Sequence, residues 1–346
     1  MYDYAASFED YLGGQSFCLS FADGIINRMP APESLISMPK FEKRFPGRVH
    51  LLKENPRAEL NAYLGTIQPD AFYAQQYGTV AGTEVFPVPE KGGKIKTLLH
   101  AVFVGTEPHW DAYTAISDSV PRSPGIATVP YIVPVGDPTE TRDLRSEWGV
   151  PPNAKVFCRH GGVGTFDISF VHEAVCTHAR THPHDYIVFL GTAPIGCEND
   201  VKNIIHLEKN VDLNFKQRYL NSCDACIHAR SDGETFGLGV AECSMAGKPV
   251  FTFAAPPPGA GFHLEVLGPH ALRYKDGEGL KQMLDSFDPR PHKAKADEYK
   301  SLYAAFGPAA TMHTFLTEFK IYDEFMQITN PKGLSWEGMC QPIIPL

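Results

Sequence analysis

The sequence predicts an α/β protein built as two domains, each a parallel sheet with crossover helices. Apolar, β-rich runs alternate with helical patterns along most of the chain, the order that parallel sheets require. At 346 residues the chain is long for one hydrophobic core and comfortable for two. Near its middle the alternation is interrupted by Tyr131-Ile132-Val133-Pro134-Val135-Gly136-Asp137-Pro138, whose Pro and Gly content reads as an interdomain crossing. The expected domains are 1–135, with 316–346 packing back on it, and 136–315.

In the first half the candidate strands are 16–20, 49–52, 71–74, 96–104 and 127–133, with helices over 56–64 and 113–119. The second half alternates more clearly. Strands are expected at 155–159, 186–190, 204–207, 225–228 and 250–253. Helices are expected at 169–181, 214–222, 238–246 and 280–287. Residues 254–262 hold three prolines and read as a loop. Over 311–328 the residues Phe315, Phe319, Tyr322, Phe325 and Met326 form an apolar stripe at helical spacing, read as core packing, and the tail 334–346 would lie on the first domain.

Composition narrows the function classes. A hydrophobic content of 43% with 21% charged residues describes a globular protein. The net charge of −9 argues against broad nucleic-acid binding, which needs a basic footprint. No apolar run reaches the length of a membrane span, and Met1-Tyr2-Asp3-Tyr4 has neither the basic nor the apolar region of a signal peptide. The eight cysteines lack framework spacing, so a reducing cytoplasm is expected. Cys223-Asp224-Ala225-Cys226 reads as small buried side chains rather than a redox or zinc pair. His178 and His182, four residues apart, lack an HExxH context and read as a surface histidine cluster.

The richest stretch is Ser231-Asp232-Gly233-Glu234-Thr235-Phe236-Gly237-Leu238-Gly239, followed by Glu242 and then Ala246-Gly247-Lys248-Pro249-Val250. It reads as loop, helix start, helix, Gly stop and strand. A helix start offers unpaired N–H groups and a partial positive charge, a ready anion site. Glu234 lies before the helix and Glu242 roughly 6 Å inside it, at 1.5 Å per residue. Such a site suits a ligand with an anionic middle and hydroxyls at each end, as in a nucleotide-sugar. Upstream, Arg159-His160-Gly161-Gly162-Val163-Gly164 follows the first strand of the second domain. A cation and glycines at a strand's carboxyl end suggest a phosphate clamp.

These residues resemble the donor-site signature of retaining GT-B glycosyltransferases, in particular glycosyltransferase family 4. The signature is Glu, seven residues, Glu, with Phe-Gly after the first and Ala-Gly-Lys-Pro-Val after the second. The match covers roughly residues 130–255 well and the first domain loosely. The compact N-terminal half and the Arg-His-Gly-Gly loop also look like glycosyltransferases carried by large algal DNA viruses. The resemblance implies a GT-B fold, two Rossmann-like domains facing across a cleft and closing around the donor. It implies transfer of a hexose from a nucleoside-diphosphate sugar to a glycan or other hydroxyl acceptor with retention, UDP-glucose and GDP-mannose being the default donors. It assigns Arg159 to the diphosphate with Gly161, Gly162, Phe236, Gly237 and Leu238, Glu234 to the sugar hydroxyls, and Glu242 to the ribose. The family's second diphosphate cation, a Lys shortly after the Arg, is missing; His160 or backbone N–H groups are the candidates to replace it.

A His from the first domain near the donor sugar is also implied, and His100 is the candidate. His109, Trp110 and Asp111, in a region that also holds Phe103 and Tyr113, are the candidate acceptor residues, since aromatic faces suit sugar rings. Gly13-Gly14 would be a glycine loop near the phosphates. No Asp-x-Asp occurs, so neither metal nor cofactor is expected. The rival readings are a non-catalytic GT-B module binding a glycan or partner, a sugar-nucleotide epimerase of the same fold, and a phosphorylase, which would need a pyridoxal-binding Lys.

Overall fold

The computed structural model describes residues 1–21, 32–83, 88–134, 136–319 and 321. The chain divides into two compact units, Met1–Ile132 with Pro308–Leu346, and Val133–Gly307.

The first unit begins with α1 (Tyr2–Leu12), β1 (Cys18–Phe21), α2 (Pro32–Arg44), β2 (Val49–Leu52) and α3 (Pro56–Ile67). β1 and β2 form a two-stranded parallel sheet. α3 starts where sequence chemistry places it: the Asn55 side chain accepts from the Ala58 N–H, and Pro56 sits at the first helical position, where its missing N–H costs nothing. Next come β3 (Ala71–Gln76), the short α4 (Val80–Thr83), β4 (Lys96–Ala101) and β5 (Ala112–Ala115), with sheet order β3-β4-β5, all parallel.

Two expectations fail in this unit. Residues 113–115, read as the first turn of a helix over 113–119, belong to β5: their Thr and Tyr suit a strand, and pairing with β4 in the register Leu98↔Ala112 decides the matter. Residues 127–133 form no strand beyond a single bridge, Ala115↔Thr128, because Pro130 has no N–H to extend the ladder.

The second unit carries β6 (Val156–His160), α5 (Ser169–Thr181), β7 (Tyr186–Leu190), β8 (Ile204–Leu207), α6 (Leu213–Asn221), β9 (Ala225–His228), α7 (Leu238–Met245) and β10 (Val250–Phe253). These follow the predicted elements within a residue or two. α8 (Phe262–Leu267), β11 (Leu272–Tyr274), α9 (Gly277–Ser286), α10 (Pro289–Ala294) and α11 (Ala296–Tyr303) complete it. The all-parallel sheet has the order β11-β10-β9-β6-β7-β8. Its strands are buried on both faces, which is why they read as continuous apolar runs. Phe157, Phe189, Ile227 and Phe251 meet Val171, Val175 and Leu280 in one core.

The chain then returns to the first unit as α12 (Pro308–Glu318), whose Met312, Phe315 and Leu316 join Tyr4, Leu12 and Leu98 in a core. Tyr322, Phe325, Met326 and the expected tail 334–346 lie outside the described residues.

The cysteine reading changes. Disulfides join Cys158–Cys223, Cys176–Cys197 and Cys226–Cys243, all within the second unit. The two cysteines of the CxxC are buried, but each bonds a partner brought by folding. Such pairing between separate elements leaves no spacing in the sequence. The histidine reading changes too. His178 is fully buried; its Nδ1 lies 2.7 Å from Asp285 Oδ1 and its Nε2 3.3 Å from Asp185 Oδ2. The ligand-type atoms of His178, His182 and Asp285 lie within 4.8 Å of one another. Direct contact with His178 and the Lys281 ammonium, 2.5 Å from Asp285 Oδ2, already engage both carboxylate oxygens, so a hydrogen bond and the Lys281 ion pair account for the cluster.

Tyr219 of α6 locks β6 to β7. Its buried hydroxyl accepts from the Arg159 N–H at 3.0 Å and lies 2.8 Å from the Val188 carbonyl. Tyr219→Phe leaves buried backbone groups unpaired and should cost about 1–3 kcal/mol. Thermal denaturation should show this as a melting temperature lower by several degrees.

Candidate active site

The sheet order places the switch point of the second unit between β6 and β9. From β6 the chain builds outward through β7 and β8, then returns to lay β9 on the other side of β6. In open parallel sheets the crevice beyond the carboxyl ends of those two strands is where ligands bind. β6 ends in Arg159-His160, and β9 ends in His228 and leads into the loop holding Glu234.

Arg159 is 5% exposed. Its guanidinium donates to Thr192 Oγ1 at 2.5 Å, Thr165 Oγ1 at 2.7 Å and the Gly162 carbonyl at 2.9 Å. All three acceptors are neutral, and among the described residues no carboxylate lies within ion-pair distance of it. Burial lowers its pKa to about 10, against the opposing fields of Tyr219, Glu234 and Asp167. A buried cation without a counter-ion is costly, and an anion entering the crevice would relieve that cost. Thr165 occupies the neighbourhood where the resemblance implied a Lys.

Gly161 and Gly162 keep this loop close to Arg159. A Cβ on Gly161 would approach the guanidinium to 3.2 Å, and one on Gly162 would approach Thr165 to 3.1 Å. Opposite, Gly237 caps α7 in the left-handed conformation (φ 86°), where its own Cβ would crowd His263 at 3.2 Å and Glu234 at 3.3 Å. Leu238 starts the helix and is half-buried. Phe236 is 1% exposed and stacks on Phe262. Its ring therefore anchors the loop in the core. The loop after β10 is tied down as well: the Glu234 N–H donates to the Ala260 carbonyl at 2.7 Å.

The two carboxylates differ in surroundings. Glu234 accepts from Arg230 at 3.0 Å and lies 3.2 Å from His228 Nε2, its side chain 20% exposed. Glu242 is more enclosed. Lys216 of α6 contacts its Oε1, and His160 Nε2 lies 2.6 Å from its Oε2. Burial alone would raise its pKa, but Lys216 and His160 overcome that and hold it at about 2. His160 is thus committed to Glu242 and not free as a substitute phosphate cation. Lys216 was missed in sequence because nothing near it in the chain points at a carboxylate 26 positions away; with Gln217, Leu213, Gly136 and Ala246 it lines a small pocket beside Glu242.

The first unit corrects several expectations. His100 is the penultimate residue of β4 and fully buried, Nδ1 2.8 Å from the Tyr73 hydroxyl and Nε2 2.6 Å from the Val129 carbonyl. Burial pushes its pKa down to about 3. Both ring nitrogens are engaged in the core, so it cannot meet a sugar. Trp110 is 5% exposed and packs on Ala74 and Leu99. The Asp111 carboxylate accepts from the Thr97 N–H and hydroxyl and the Gly92 N–H, which fixes a turn. His109 is half-buried, its Nδ1 2.5 Å from the Glu107 carbonyl. Gly13 is the left-handed stop of α1, not a phosphate loop. Instead, Tyr77 and Phe103 stand exposed at the carboxyl ends of β3 and β4, ring centroids 4.7 Å apart. Phe103 was legible in sequence; Tyr77 was not.

The chain matches no family model, and no curated protein is similar to it in sequence. Solved structures share its fold, and that fold is GT-B, with two Rossmann-like domains. HepE of Anabaena, in complex with UDP and glucose, matches with a TM-score of 0.64 at 15% identity, over 92% of this chain and 95% of that one. A glycosyltransferase from Rickettsia africae matches at 0.62 and 13%, over 94% of each chain. A UDP-forming trehalose-phosphate synthase from Burkholderia xenovorans matches at 0.55 and 12%, over 91% of this chain and 86% of that one. Among the described residues no helix is long and apolar enough to cross a membrane.

The depressed pKa of Glu242 sets a pH dependence. A carboxyl held below its ordinary value stabilises the fold fully above about pH 4.5, and that contribution is lost as pH falls through about 2. Glu242→Gln should therefore flatten the decline of stability over this window relative to wild type. Denaturation at stepped pH measures it.

Proposed function

We propose that the chain is a glycosyltransferase that moves a hexose from a nucleoside-diphosphate sugar to a hydroxyl acceptor, retaining configuration and using no metal. The observation that carries this reading is the buried Arg159, without a carboxylate partner among the described residues, at the switch point of the sheet. In support, the similarly folded HepE structures include UDP and UDP-glucose complexes. A uridine donor is accordingly our first choice over GDP-mannose. The sequence signature leads us to place the chain with family 4, and its compact first half with the algal-virus enzymes.

In this reading the bond between the anomeric carbon and the diphosphate oxygen breaks as the acceptor oxygen bonds to that carbon from the same face. The acceptor proton passes to a phosphate oxygen. Arg159 and the N–H groups at Gly237 and Leu238 stabilise the charge that develops on the diphosphate. Glu234 holds sugar hydroxyls and Glu242 the ribose, the latter sharing its carboxylate with Lys216 and His160. The exposed Tyr77–Phe103 pair, rather than Trp110, offers a face for an acceptor sugar. A cytoplasmic location requires the three disulfides to be open in the cell, because that compartment keeps thiols reduced.

The test is nucleoside-diphosphate release from UDP-glucose, UDP-N-acetylglucosamine, GDP-mannose and ADP-glucose with EDTA present. Release should survive EDTA for one donor, fall about 100-fold in Glu234→Gln, and drop in Glu242→Ala. No release from any donor, with acceptor glycans added, would return the chain to a glycan- or partner-binding module.

A further inference from the structure

We propose that His228 is the positioning residue of Glu234, and that a buried chain from His263 through Thr252 fixes which nitrogen of His228 carries the proton. His228 ends β9, and Thr252 is its direct neighbour across the sheet on β10. His228 Nδ1 lies 3.0 Å from Thr252 Oγ1, and Thr252 Oγ1 lies 3.1 Å from His263 Nε2. At the other end His228 Nε2 lies 3.2 Å from Glu234 Oε1. Thr252 is fully buried and His263 is 1% exposed.

The direction of the chain follows from its closed end. Burial pushes the His263 pKa down to about 2, so the ring is neutral and carries one N–H. Among the described residues its buried Nδ1 has no partner. A buried N–H without an acceptor is rarer and costlier than an unused acceptor, so the proton sits on Nε2. His263 Nε2–H then donates to Thr252 Oγ1, and the Thr252 hydroxyl donates to His228 Nδ1. That leaves the His228 proton on Nε2, where it donates to the Glu234 carboxylate. The reverse order would strand a buried N–H on His263 Nδ1.

The remaining groups around the carboxylate agree with this arrangement. Arg230 takes Glu234 Oε2, so each oxygen has one donor and keeps a lone pair for a ligand hydroxyl. The backbone of the loop is set independently. Gly233 adopts φ 64°, and a Cβ there would come within 2.3 Å of the Ala260 carbonyl oxygen. The Tyr274 hydroxyl donates to the His228 carbonyl at 2.8 Å, which holds the strand end. The imidazole therefore sets the rotamer of Glu234 while the loop sets its position. With His228 on Oε1 and Arg230 on Oε2, both carboxylate oxygens are held in place and turned to accept ligand hydroxyls.

The catalytic consequence rests on the transferase reading; the tautomer does not. Protein labelled with 15N at histidine is examined by long-range proton–nitrogen correlation, with the His228 signals assigned by their loss in His228→Gln. We expect the Nε2–H tautomer in wild type and in Thr252→Ser, and loss of that bias in Thr252→Val. On the donor that is turned over, Thr252→Val should lower kcat about tenfold with donor KM less affected, and Thr252→Ser should restore it. A wild-type His228 protonated on Nδ1, or a Thr252→Val protein with unchanged tautomer and kcat, overturns the proposal. If no donor is turned over, the transferase reading fails, and the nitrogen correlation alone decides the proton's place.

Discussion

The buried charge of Arg159, with no carboxylate in ion-pair distance among the described residues, is the constraint around which the second unit is arranged. The residue has to lie on β6, because only a central strand next to the switch point delivers its side chain to the crevice. Tyr219 fixes the backbone of that strand through the Arg159 N–H, and Thr165, Thr192 and the Gly162 carbonyl hold the guanidinium fork. None of these partners neutralises it. The carboxylates nearby have other partners: Glu234 has Arg230, Glu242 has Lys216, and Asp167 has the Ser231 N–H and hydroxyl. Natural cores seldom leave a charge in this state without a ligand to complete it.

The two glutamates show how one helix start can hold two different kinds of carboxylate. Glu234 precedes α7 on a loop pinned to Ala260, partly open and met by two donors. Glu242 lies a turn inside α7, enclosed by a cation from α6 and a histidine from β6. The first is arranged to receive a ligand. The second also ties α6 and β6 to α7, so its removal disturbs the site and the fold together.

Much of the second unit was legible because parallel strands buried on both faces leave unbroken apolar runs, and because Asp212 and Asp276 mark helix starts by capping them. The contiguous motif from Ser231 to Val250 gave the two glutamates and the helix between them. What sequence could not show comes from elements distant in the chain. Lys216, the Thr252–His228–His263 chain and the three disulfides exist only after β9, β10 and α6 have come together. His100 misled for the same reason: as the polar residue ending the apolar run Thr97-Leu98-Leu99 it was the candidate for a donor sugar, yet neighbours on both sides, Tyr73 and Val129, close over it. In the first unit, Pro130 cut short a promising apolar run, and the strand instead formed from the less apolar 112–115.

The central claim is that Arg159 awaits a diphosphate. Isothermal titration of wild type and Arg159→Met with UDP and with uridine tests it directly, because the two ligands differ only in the anionic group. The account predicts that wild type binds UDP far more tightly than uridine and that Arg159→Met loses most of this preference while keeping its melting temperature or raising it. Equal binding of the two ligands by wild type, or an undiminished preference in Arg159→Met, would contradict it.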